Sequence, residues 1–181
     1  MHAQVLRSAL ALPALALLAA FAPTAQAATV NGQVTASLTL TSSCQVNGTT
    51  ASDGQEFGAL NFGSADSLFT QANAQVLGSG GGALSILCSA GTSPSVRVRA
   101  GAHDGQAAGA TRALYDGVAN YVPYDFYTDT GRTNLLAIDG VVALDPSIGV
   151  AQTVNLYGKA LGVPGLPAGT YTDTVAVELS F

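Results

Sequence analysis

From Thr29 to Thr41 the chain reads TVNGQVTASLTLT, and small or apolar residues alternate with polar ones without a slip. Val30, Gly32, Val34, Ala36, Leu38 and Leu40 fall on one side of the alternation; Thr29, Asn31, Gln33, Thr35, Ser37, Thr39 and Thr41 fall on the other. Successive side chains of a strand point to opposite faces, so the pattern predicts a strand with one buried face. Threonine and valine favour that state, and neither a charge nor a proline interrupts it. Two readings follow. The strand is the first of an ordinary sandwich, or it buries its face in a neighbouring molecule.

The same period returns in shorter pieces. In Ala83–Ser89, Leu84, Ile86 and Cys88 share a face; in Ser95–Arg99, Val96 and Val98 point inward and both arginines outward. In Thr153–Ala160, Val154, Leu156, Gly158 and Ala160 share a face. Strands are also predicted at Ala74–Leu77, Arg112–Tyr115, Tyr121–Tyr127 and Asn134–Ile138, with a bent one over Glu56–Gly63. Gln45–Gln55 reads as a loop or short edge, and Gly78–Gly82, Gly101–Gly109, Asp129–Arg132 and Gly162–Gly169 as loops and turns. In the last run Tyr171, Asp173, Val175, Val177, Leu179 and Phe181 share one face, with Asp173 the polar exception. Beyond the first residues no window holds a helical period over ten residues. Short strands between frequent turn signals predict an all-β sandwich in one domain.

The first residues follow a different rule. His2 and Arg7 give a weakly basic start, Leu10–Ala22 is almost wholly alanine and leucine, and Ala25-Gln26-Ala27 is a small-x-small site. That predicts a secretory signal peptide over residues 1–27, cut after Ala27. The apolar run is shorter than the about 20 residues a membrane span needs, and no later stretch offers one. The exported chain, Ala28–Phe181, keeps five basic residues (Arg97, Arg99, Arg112, Arg132, Lys159) against eleven acidic ones. No basic stripe is present, so nucleic acid is excluded as a partner class.

Cys44 and Cys88 are the two cysteines. In an oxidising compartment an even pair reads as a disulfide. Two cysteines and the single histidine after residue 27 cannot supply a closed four-ligand zinc site.

Other candidates for chemistry are weak. His103-Asp104 lies in a Gly/Ala loop with no G-x-S-x-G nearby, and is expected to be a solvated loop rather than part of a hydrolase. Gly78–Gly82 lacks the Lys-Ser/Thr of a phosphate loop. Asp125 and Asp129 match no calcium loop, and Asp129-Thr130-Gly131 is turn chemistry. Asn47-Gly48-Thr49 is a glycosylation sequon. Tyr115, Tyr121, Tyr124, Phe126 and Tyr127 could line a groove, though core packing accounts for most of them. No cofactor and no enzymatic activity are expected.

From Val30 to Phe181 a set of blocks recurs in a recognisable order: VNGQVTASLTLTSSC, Phe57-Gly58-Ala59-Leu60-Asn61-Phe62-Gly63, the second cysteine closing Leu84–Cys88, Tyr127-Thr128-Asp129 before Gly131–Leu135, and the terminal Ala168–Phe181. In these the chain resembles the spore coat protein U family, and most closely the major pilins of archaic (Csu-type) chaperone–usher pili. The resemblance implies an incomplete immunoglobulin-like β-sandwich over residues 42–181, lacking its last strand, with an N-terminal donor strand at 28–41. A periplasmic chaperone would cover the gap first, and at the outer-membrane usher the next subunit's N-terminal strand would replace it. Val30, Gly32, Val34, Ala36, Leu38 and Leu40 would then fill the neighbour's groove, beside the last strand with Tyr171, Asp173, Val175, Val177, Leu179 and Phe181. Cys44–Cys88 would pin the first part of the domain to the sheet. The implied product is a head-to-tail homopolymer at the cell surface, serving adhesion and biofilm formation. The alternative is a self-contained secreted module, spore-coat-like or ligand-binding, that folds without a partner strand.

Overall fold

A computed structural model describes residues 28–181. The signal peptide expected at residues 1–27 lies outside them. The chain divides into one unit ending at Thr39 and another spanning Leu40–Phe181. Residues 28–43 form no strand and their side chains are exposed: Val30 is 92%, Val34 96%, Leu38 84% and Leu40 83% accessible. The reading of this segment as the first strand of its own sandwich is therefore corrected. The apolar face that the alternation creates is present but unburied.

The domain is built from strands β1 (Cys44–Val46), β2 (Thr49–Thr50), β3 (Ala59–Leu60), β4 (Gln71–Leu77), β5 (Leu84–Cys88), β6 (Ser95–Gly101) and β7 (Arg112–Tyr115), followed by β8 (Tyr121–Tyr127), β9 (Leu135–Leu136), β10 (Gly140–Ala143), β11 (Gln152–Val154), β12 (Tyr157–Leu161) and β13 (Val175–Ser180). All pairings are antiparallel. They form three sheets, β11-β5-β1-β2, β10-β6-β13 and β3-β4-β12-β8-β7, the last with β9 attached to β8. The all-β class is as expected. Faces of the longer strands meet in a single core, where Val46, Leu84, Ile86, Val96, Val98, Tyr124 and Phe126 are buried.

Two departures from the sequence reading have clear causes. Thr153–Ala160 is not one strand. Its first half, β11, pairs with β5, while its second half, β12, runs between β4 and β8. The chain changes sheets at Asn155-Leu156, yet Val154, Leu156, Gly158 and Ala160 all stay buried, because both sheets face the same core. Segment 140–143, left without a strand by the sequence reading, is β10 on the edge of β6.

Cys44 and Cys88 stand opposite one another in the β1–β5 ladder, with Cα atoms 4.0 Å apart, and are bonded. Arg112, unremarkable in sequence, is fully buried. It donates to the carbonyls of Leu136 (3.3 Å) and Arg99 (3.2 Å), and its guanidinium lies 5.1 Å from the centre of the Phe126 ring. Those partners offset part of the cost of burying the charge, while its Nε is left without a hydrogen-bond partner among the described residues.

Candidate binding groove along the last strand

β13 is laddered to β6 on one side only, with Val177 opposite Val98, Leu179 opposite Val96 and Ser180 opposite Ser95. Among the described residues no strand pairs with its other edge. A free edge is a row of unpaired backbone donors and acceptors, a ready template for another strand. Beside it runs a groove of about 850 Å³. Val175, Val177, Leu179 and Phe181 line one side, residues of Ala51–Leu60 the other, and the buried Leu84, Val98, Tyr124, Phe126 and Leu156 lie in its depth. The inner face of β13 is only half covered, and Phe181 is 52% exposed. This is apolar surface beside unsatisfied backbone, the combination that strand addition uses.

The start of β13 is held by polar ties. The Asp173 side chain is 1% exposed; its Oδ2 accepts from the Tyr124 hydroxyl (2.8 Å), and its Oδ1 accepts from the Ala102 N–H (3.0 Å) and lies 3.1 Å from His103 Nδ1. Burial, and then the bond to Asp173, push the Tyr124 hydroxyl far above the ordinary tyrosine range, so it stays a donor. Tyr171 donates its hydroxyl to the Pro167 carbonyl (2.9 Å), and Thr172 exchanges two backbone bonds with Tyr115. The polar exception on the last strand's apolar face is thus a fully partnered carboxylate at one end of the groove.

His103-Asp104 is not the solvated loop expected. The imidazole lies 4.8 Å from the Tyr115 ring and bridges to Asp173, while Asp104 accepts the Gly101 N–H at 2.9 Å. The pair ties the loop after β6 to the approach to β13. Asp173 is 70 residues from His103, so no local pattern announces the contact.

Asp129 accepts from the backbone of Asn134 (2.7 Å) and Thr133 (3.0 Å) and from the Thr133 hydroxyl. The Asn134 N–H above all holds its carboxyl below the usual range. Asp125 is buried and accepts the Thr111 N–H (2.9 Å) and hydroxyl. Both carboxylates serve turns and strand ends. Of the aromatics, Tyr124 and Phe126 line the groove; Tyr115 and Tyr121 stack on one another, and Tyr127 packs under the Lys159 ammonium.

Asn47-Gly48 is the turn between β1 and β2, with φ of 51° and 81°. Two positive φ values in sequence mark a type I′ hairpin, for which Asn-Gly is the favoured pair. The Asn47 amide nitrogen donates to the Phe57 carbonyl at 2.9 Å and its oxygen accepts the Ser85 N–H at 3.1 Å. In the folded domain the sequon's nitrogen is therefore engaged. Within the groove wall Ala51–Leu60, the sequence reading puts a loop or short edge up to Gln55 and a bent strand from Glu56; the structure forms strand only at Ala59–Leu60.

The chain is similar to Protein U of Myxococcus xanthus, with 28% identity over 180 residues, 94% of this chain and 95% of that protein. It is also similar to a chain in the crystal structure of the CsuC–CsuE chaperone–tip adhesion subunit pre-assembly complex, from archaic chaperone–usher Csu pili of Acinetobacter baumannii. There the identity is 20% and the TM-score 0.47, covering 79% of this chain and 41% of that one, so this chain spans less than half of its length. The family model described as Spore Coat Protein U domain matches residues 30–178, and the chain belongs to that family.

Proposed function

We propose that this chain is a non-enzymatic structural subunit of a surface pilus, and that it polymerises by lending residues 29–41 to the groove of the next copy. The observation that carries the reading is the pairing of two unsatisfied features in one chain. A strand-long apolar groove lies along the free edge of β13, and a segment with a matching apolar face is left exposed and without a strand. Each of Val30, Val34, Leu38 and Leu40 gains about 1.5–3 kcal/mol on full burial, and the strand's backbone completes the ladder of β13. Ala36 would fill a pocket in the same row, and Gly32 would meet the groove where it is shallow. A donor on one surface and an acceptor on another give a heterologous contact, which propagates as a filament instead of closing as a dimer.

On this reading the chain is exported, met by a periplasmic chaperone that covers the groove, and passed to an outer-membrane usher for addition to the fibre. Adhesion and biofilm formation are the roles such a fibre would serve. Among the described residues no helix is long and apolar enough to cross a membrane.

Unheated gel electrophoresis of the exported protein, beside a version lacking residues 29–40, tests the proposal. The expected result is a ladder of multimers that collapses on boiling and is absent from the deletion. A folded monomer in both lanes would overturn it in favour of the self-contained module.

A further inference from the structure

The two walls of the groove are built differently. β13 is fixed by its ladder with β6, whereas the facing wall has no strand between Ala51 and Gly58. Its ends are anchored, by the Ala51 N–H to the Cys44 carbonyl (2.8 Å) and by β3 to Val76 and Leu77 of β4. Among the described residues, two hydrogen bonds tie the stretch between those ends to its surroundings. Gln55 Nε2 donates to the Val46 carbonyl (3.1 Å), and Asn47 Nδ2 donates to the Phe57 carbonyl (2.9 Å).

The Asn47 tie reaches furthest. Its backbone N–H donates to the Ser85 carbonyl (2.8 Å) and its side-chain oxygen accepts the Ser85 N–H (3.1 Å), so one end of the amide is fixed to β5. The nitrogen end holds Phe57, whose ring packs against the core and lines the groove. Gly78 closes over the amide; a Cβ there would stand 2.3 Å from its oxygen. The hairpin turn itself needs only a residue that tolerates positive φ, and glycine would serve. The turn does not account for an amide bonded at both ends and packed in place.

We propose that Asn47 is a positioning residue of the acceptor groove: its amide is a fixed-length strut from β5 to the wall at Phe57, and it sets how large a side chain the groove admits from an incoming strand. The inference rests on the strand-acceptor reading above. A wall held at a set distance rejects an overlarge donor residue; a released wall accepts it.

The test uses the full chain and two labelled synthetic peptides, one with the sequence of residues 28–41 and one carrying Ala36→Leu. Uptake into the unheated multimer ladder is followed with time. The wild-type chain should take up the native peptide about tenfold faster than the enlarged one. Asn47→Asp keeps an oxygen for Ser85 but sets a carboxylate against the Phe57 carbonyl, and it should bring that ratio close to one. Asn47→Gly, which keeps the turn, should do the same. General destabilisation would alter both uptake rates together and leave the ratio in place.

An unchanged ratio in Asn47→Gly, with normal uptake by the wild type, overturns the role of Asn47 and leaves the donor-strand reading standing. No uptake and no ladder in the wild type overturns that reading, and the inference with it. Should both Asn47 variants fail to fold, Gly78→Ala displaces the Asn47 amide, because a Cβ there would collide with its oxygen, and a wild-type ratio in that variant counts against the strut.

Discussion

Val34→Asp, or Leu38→Asp, should abolish multimer formation while leaving the domain's own thermal unfolding within about 1 °C of wild type. In the single chain both positions are almost fully exposed, so a carboxylate there meets water and costs the fold little. In the proposed assembly the same carboxylate must enter a groove floored by Val98, Leu156 and Phe126. Burying it without a partner costs several kcal/mol, enough to weaken strand exchange by more than a hundredfold. Thr35→Asp, on the polar face of the alternation, should assemble nearly as well as wild type. Equal loss from all three substitutions would mean that the segment acts without register, and the face argument would fail.

The second large effect is on stability. Replacing both Cys44 and Cys88 by alanine opens a loop spanning a sequence separation of 44. In the chain-entropy account this costs about 4 kcal/mol. For a domain of this size the unfolding midpoint should fall by on the order of 10 °C, read by circular dichroism on heating. β1 is three residues long and contributes little ladder of its own, so the bond to β5 is a main reason that it stays in register. A fall of less than about 2 °C would show that the β1–β2 hairpin holds its place through packing alone.

How far the fold can be read in the sequence follows the distance over which each feature is determined. β7 and β8 have the boundaries that the sequence reading gives them, although β8 is buried at six successive positions and shows no alternation. The inward set of Thr153–Ala160 is legible because its alternate residues face one core. Its division between two sheets is not, because it depends on β4, β5 and β8 as partners. The last strand's apolar face is legible, including Asp173 as its exception. The reason for that exception lies in Tyr124 and His103, 49 and 70 residues away.

The groove is half legible. One wall is a strand with an alternating apolar face; the other is shaped by side-chain bonds from Asn47 and Gln55, and propensity has nothing to say about it. Arg112 illustrates the same limit. An arginine opening a strand is ordinarily at the surface, and this one is buried because the carbonyls of Arg99 and Leu136 converge on it. The alternating segment at Thr29–Thr41 differs in kind. Its apolar face is plain in the sequence, and the single chain leaves it exposed.

That segment is where the account is most open to test. Electron cryo-microscopy of fibres formed by the exported protein would show what lies along the outer edge of β13. The account expects a strand from the neighbouring subunit, residues 29–41, paired with β13 and with Val30, Val34, Leu38 and Leu40 turned toward Phe126 and Val98. Fibres whose groove is empty, or is filled by the subunit's own chain, would contradict it.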